Sequence, residues 1–215
     1  MDFKKVVKKP NNRSKRNYVN LTENDVKKYL DDLYKNGLVH SFNNMHDYSK
    51  LNNKVKVIIV GTLTPKAGRD IGYFYMANND MYTMLGKYFN EDLDKYKTST
   101  SDKKQLQNYL YNKGIAFMDV VGSAIQCPMD SAEDSDIGYF NLDYDNFRKI
   151  TSSNIKFITT SDAAYEAFCR ISEKLNKSWW INPNNIKQCQ LFHYYKSFDI
   201  NMWHDTLQKF GVWDN

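Results

Sequence analysis

Three segments of this 215-residue chain hold the side chains that could do chemistry. The first runs through Gly61, Thr62, Pro65, Lys66 and Arg69, then an aromatic run, Tyr73, Phe74 and Tyr75, then Asn79, Asp80 and Tyr82. The second opens at Asp119 and continues as a glycine-, serine- and aspartate-containing stretch. The third is His193-Tyr194-Tyr195-Lys196-Ser197. Aromatic faces can stack a flat ring while amides and backbone groups read its edge. An Asn or Asp can orient a water, and a His can donate to a leaving group. Lys and Arg among them suit a phosphate.

Other chemistries lack their residues. The chain has no GxxxxGK[ST] loop, no GxGxxG spacing after Gly61, no GxSxG elbow and no HExxH. His40, His46, His193 and His204 are scattered, with no two at ligand spacing on one element. Cys127, Cys169 and Cys189 form no CxxC pair, so the expectation is reduced thiols, no structural zinc and a cytoplasmic protein. No apolar run reaches membrane-span length, and the charged N-terminus has no signal-peptide core.

These segments need elements to hold them. Apolar β-branched runs predict buried strands at 55–60, 115–121, 155–159 and 189–192, each bounded by turn or helix signals. Helical spacing predicts helices from Thr22–Asp25 to Gly37, over 80–89, from Asp102 to Gly114, over 145–151, from the Ser161 cap through 163–175, and over 200–210. Alternation of short apolar strands with helices implies an α/β fold: a three-layer α/β/α arrangement around a mostly parallel four-stranded sheet. In such a sheet the loops after the strands fall on one edge, so the three segments can converge there.

Charge divides the chain. Lys4, Lys5, Lys8, Lys9, Arg13, Lys15 and Arg16 against Asp2 give residues 1–20 a net charge of +6, leaving −1 for the rest of a chain whose total is +5. The expected organisation is a basic N-terminal extension over 1–20, disordered or in contact with phosphates, and one α/β domain over 21–215, acting as a monomer.

The order of landmarks resembles a known family. Gly61-Thr62-Leu63-Thr64-Pro65, Tyr73-Phe74, Asn79-Asp80-Met81-Tyr82, the strand Gly114 to Val120 ending in Asp119-Val120, and the stretch from Ser131 to Ile137 follow one another as in the uracil-DNA glycosylase superfamily. The likeness is nearest to the branch of mismatch-specific and hypoxanthine-type DNA glycosylases and covers about residues 38–210. Leu63 departs from it, standing where many members carry a water-positioning Asn or Asp. The last motif, His193 to Ser197, departs as well.

The resemblance implies a cofactor-free, monofunctional DNA glycosylase that flips a damaged or modified base from the duplex and hydrolyses its N-glycosidic bond. Uracil, hypoxanthine or a modified pyrimidine, on phage DNA among other sources, are the bases it leaves open. On this reading Asn79 holds the water, with Asp80 as the second choice, and His193 donates to the leaving base. Gly61, Thr62, Pro65, Tyr73, Phe74, Tyr75, Tyr82 and Asp119 form the base pocket, Asp119 alternatively holding the loop. Lys66, Arg69, Tyr194, Lys196 and Ser197 contact DNA. A non-catalytic nucleic-acid or nucleotide binder, and a hydrolase of small nucleosides, are the alternatives.

Overall fold

Val57, Ile58, Ile59 and Val60 are all fully buried, yet they serve two different cores. Val57 and Ile59 point to one side and Ile58 and Val60 to the other, the period-two alternation of a strand covered on both faces. The computed structural model describes residues 4–7, 17–20, 22–24, 27–28, 31, 39–76, 81–98, 100–126, 137–189 and 199–213. The chain divides into two units, Met1–Leu38 and Val39–Asn215.

In the first unit, β1 (Lys4–Val7) and β2 (Asn17–Asn20) pair antiparallel, with Lys4 opposite Asn20 and Val7 opposite Asn17. Of the predicted helix after Thr22, the described residues Glu23, Asn24, Lys27, Lys28 and Asp31 are helical.

The second unit follows in chain order. It holds β3 (Val39–His40), a 3-10 turn (Asn43–Met45), α1 (Tyr48–Lys54), β4 (Val57–Gly61), α2 (Lys66–Ile71), α3 (Met81–Phe89) and α4 (Lys103–Asn112). Then come β5 (Ile115–Asp119), β6 (Val121–Gln126), β7 (Ile137–Leu142), α5 (Tyr144–Arg148), β8 (Lys156–Thr159), α6 (Asp162–Lys174), a 3-10 turn (Ser178–Ile181), β9 (Ile186–Gln188) and α7 (Ile200–Lys209).

The main sheet has the order β5-β4-β8-β9 and is parallel throughout. One core packs α3 and α7 through Met81, Met84, Leu85, Trp203 and Leu207. The other packs α1, α5 and α6 through Leu51, Phe147, Phe168 and Ile171, with Trp180 beneath them. Helices thus cover both faces, as expected of three layers. From β4 the chain moves to one side for β5 and then to the other for β8. The carboxyl ends of β4 and β8 therefore flank the point where the winding direction reverses, where open α/β sheets place their ligand crevice.

The strand boundaries differ from the sequence reading: the first expected strand, at 55–60, is Val57–Gly61, and the third, at 155–159, is Lys156–Thr159. The second strand was expected to run to Val121. It ends at Asp119, whose N donates to Asn43 Oδ1 at 3.0 Å and whose O accepts from Asn43 Nδ2 at 2.7 Å, while Val120 N and Val121 N still donate to Gly61 O and Thr62 O as the chain passes into β6. A fourth strand lies at Ile186–Gln188; of the strand expected at 189–192, residues 190–192 lie outside the described residues. As an edge strand it needs little apolar surface and exposes Lys187; Cys189 N, donating to Thr159 O, extends its pairing. An antiparallel sheet of order β3-β6-β7, α1 between Asp47 and Val55, and α2 between Pro65 and Gly72 were not anticipated. Gly72 ends α2 in the left-handed region at φ 94°, a conformation that suits glycine.

Candidate functional site

The strand ends at the β4–β8 switch point, where such folds place a ligand crevice, carry mainly hydroxyls. Thr62 Oγ1 lies 3.2 Å from Ser161 Oγ, which bridges the ends of the two strands, and Ser161 Oγ also caps α6 by accepting from Ala164 N. Thr160, 3% exposed, donates its hydroxyl to Val60 O and meets the Tyr75 hydroxyl at 3.3 Å. The Thr159 hydroxyl is buried beside them without a hydrogen-bond partner among the described residues.

Tyr75 holds an unusual backbone conformation, φ 52°, costly for an aromatic residue and more frequent where function demands it. Its hydroxyl lies 2.4 Å from where a Cβ on Gly61 would stand, so glycine at the end of β4 is what allows the phenol to close over the strand. The same Cβ would stand 3.0 Å from Asp119 Oδ1. Gly61, Tyr75 and Asp119 therefore meet at one point, as expected of the first two loops.

Asp119 is 2% exposed and occupied. Its Oδ2 accepts from both Thr64 N and Thr64 Oγ1 at 2.8 Å, so the carboxylate holds the loop, the alternative role read from the sequence. Arg69, expected to contact DNA, turns back to donate to Thr64 O. Burial lowers its pKa, opposed by the nearby Asp70 and Asp119 carboxylates. Pro65 is the residue before α2, half-buried, and Lys66 opens that helix.

The other aromatics expected in the pocket are core residues. Phe74 has no exposed surface: it packs edge-on to Phe42 and Tyr73 and stacks on His46 at 5.8 Å. Tyr73 and Tyr82 are also fully buried, and Tyr82 Oη donates to Phe74 O at 2.9 Å. Of the three consecutive aromatics, only Tyr75 keeps partial exposure: its ring packs on the edge of the core, 5.1 Å from Phe117, and its hydroxyl meets Thr160. Leu63 is 8% exposed and packs into the same core as Val60 and Met118. Its side chain enters the core, not the crevice. Asn79, Asp80, His193, Tyr194, Lys196 and Ser197 lie outside the described residues, as does the 127–136 stretch after β6.

The sequence reading missed the polar scaffold behind the crevice. Asn43, fully buried, donates from Nδ2 to Asp143 Oδ2 at 2.7 Å as well as gripping Asp119. Asp143 in turn accepts from Asn146 N and Nδ2 at the start of α5. His46 Nε2 donates to Phe117 O at 2.6 Å, because a carbonyl can only accept. Its Nδ1 then accepts from the Tyr111 hydroxyl at 2.7 Å. Burial lowers the His46 pKa to about 4, fixing the neutral ring, and burial also pushes the Tyr111 phenol up, keeping it a donor. Among the described residues no three His, Cys, Asp or Glu side chains could hold a metal ion, and no helix is long and apolar enough to cross a membrane. Compared with protein-family models, with curated proteins and with solved structures, the chain matches none.

Proposed function

We propose that this protein is a monofunctional DNA glycosylase of the uracil-DNA glycosylase kind, taking a flipped base into the crevice beside Gly61. The observation that carries the reading is the meeting of Gly61, Tyr75 and Asp119 at the carboxyl end of β4, beside the β4–β8 switch point, in the order in which the sequence resembles that superfamily. The all-parallel sheet with helices on both faces agrees with it.

Tyr75 takes the stacking role, since Tyr73 and Phe74 are enclosed in the core. Thr62, Thr160 and Ser161 supply hydroxyls that can donate to or accept from the base edge. Asp119 keeps the loop from Gly61 to Pro65 in place. Asn79 or Asp80 orients the water that adds to the sugar C1′ as the N-glycosidic bond breaks. The base leaves with the bonding electrons, and His193 supplies the proton or hydrogen bond that stabilises it.

A second reading, a binder that keeps the fold without the chemistry, is favoured by one observation: Leu63 enters the core and Asp119 is committed to Thr64, so neither positions a water. Single-turnover assays at excess protein, on oligonucleotides with uracil, hypoxanthine and modified pyrimidines, separate the two. Abasic product from any base supports the glycosylase. Binding with no product from any of them leaves the binder.

A further inference from the structure

A concavity lies away from the β4–β8 switch point, between the antiparallel sheet and α5. It measures about 640 Å³, within the roughly 300–1,000 Å³ typical of ligand sites. Ser123 of β6 and Asn141 of β7 form one wall, where Asn141 Nδ2 donates to Ser123 Oγ at 3.3 Å. Arg148 and Lys149, at the end of α5, and Lys174, in the last turn of α6, line it as well. Tyr144, partly buried, adds an aromatic surface.

The floor explains how such a groove could accept an anion although two acids line it. Asp143 is 7% exposed, and its two oxygens accept from Asn43 Nδ2, Asn146 N and Asn146 Nδ2. Those amide donors already meet its charge. Asp145 is exposed and paired with Arg148 at 3.2 Å, a contact that water and salt weaken. The C-terminal ends of two helices thus bring three cations to a depression that Ser123 and Asn141 line with a hydroxyl and an amide; Lys149 Nζ also donates to Asn146 Oδ1 at 2.9 Å and lies 5.0 Å from the centre of the Tyr48 ring. Lys and Arg with hydroxyl and amide donors are the side chains that bind phosphate oxygens.

We propose that this groove is a phosphate-binding site, separate from the switch-point crevice, for a phosphodiester backbone or a free nucleotide. Arg148, Lys149 and Lys174 neutralise the phosphates, Ser123 and Asn141 hydrogen-bond to them or the sugar, and Tyr144 packs against the sugar or base. The site stands on the groove alone, whether or not the crevice excises a base.

The test is equilibrium binding by the full chain of a labelled oligothymidylate and, in a separate arm, of a nucleoside triphosphate, across a salt series. Two variants are compared with the parent. One is the triple substitution Arg148→Gln, Lys149→Gln, Lys174→Gln; the other is Asn141→Trp, which fills the groove and leaves its charge. Both keep residues 1–20, so binding by that basic segment is common to all three proteins. The expected result is a loss of about tenfold or more in affinity for at least one probe in both variants. For the oligonucleotide, the triple variant's log–log salt slope also becomes shallower by about two. A loss confined to the oligonucleotide identifies a backbone site, and a loss for the triphosphate identifies a nucleotide site. No binding of either probe by the parent, or unchanged affinity in Asn141→Trp with an unchanged unfolding midpoint, overturns the proposal.

Discussion

A methyl group on Gly61 would stand 2.4 Å from the hydroxyl of Tyr75, so the phenol can take its present place over β4 only where residue 61 lacks a Cβ, and must shift otherwise. Gly61→Ala is expected to displace Tyr75 from Thr160 and to destabilise the protein by about 1–3 kcal/mol, the usual cost of overpacking. The combined change Gly61→Ala, Tyr75→Phe removes the closest atom and should recover part of that loss. Urea-unfolding midpoints for the two singles and the double measure the coupling; purely additive effects would show that the hydroxyl is not the obstacle.

Leu63 enters the core beside Val60 and Met118. Leu63→Asn therefore should not restore a water-holding group. The expected outcome is a loss of about 2–4 kcal/mol from burying an amide in place of an apolar side chain, with no gain in base excision. A faster single-turnover rate in this variant would show that residue 63 can reach the crevice.

Asn43 supplies partners to Asp119 N, Asp119 O and Asp143 Oδ2. Asn43→Ala leaves all three buried groups short of a partner, at about 1–3 kcal/mol for each one that water cannot reach. Thermal unfolding should show a large drop, and Asn43→Gln should not rescue it, since the longer side chain cannot fit between the two chains it joins. A midpoint within a degree or two of the parent would refute the clamp.

His46 is neutral in the fold, its pKa lowered by burial from 6.5 to about 4. Between those values the unfolded chain takes up a proton that the folded chain refuses. Its contribution is therefore fully present above about pH 6.5, declines as pH falls towards 4, and is worth roughly 3 kcal/mol at most. Unfolding free energies measured from pH 4 to 7 should rise with pH, and His46→Gln should flatten that rise while lowering stability at neutral pH.

The parallel sheet was legible because buried strands leave an unbroken apolar run, as at Val57–Val60, and because Ser161 caps α6 from a position that local sequence signals. The antiparallel sheet was not. Val121–Gln126 carries Gly122 and Ser123 in place of such a run, and Gly122 is there to let Asp143 approach, a contact between residues distant in the chain. The aromatic run was legible as a cluster but not in its division: Tyr73 and Phe74 are fully enclosed, while Tyr75, in a left-handed backbone conformation, packs at the edge of the core and stays partly exposed. Asn43 gave no local signal, because its value lies wholly in partners far along the chain.

That separation has a kinetic side. The two side-chain bonds Asn43 donates close spans of 76 and 100 residues. Contacts of such high order form only after the chain between them has collapsed, when the loop entropy has already been lost. The end of β5 is thus expected to take its final shape late in folding. Any subglobal opening that frees the 3-10 turn at Asn43–Met45 would release Asp119 without melting the β4–β8 pair. Amide exchange at Asp119 would then outpace exchange at Ile59, making the crevice a separately unfolding unit on a more slowly exchanging sheet.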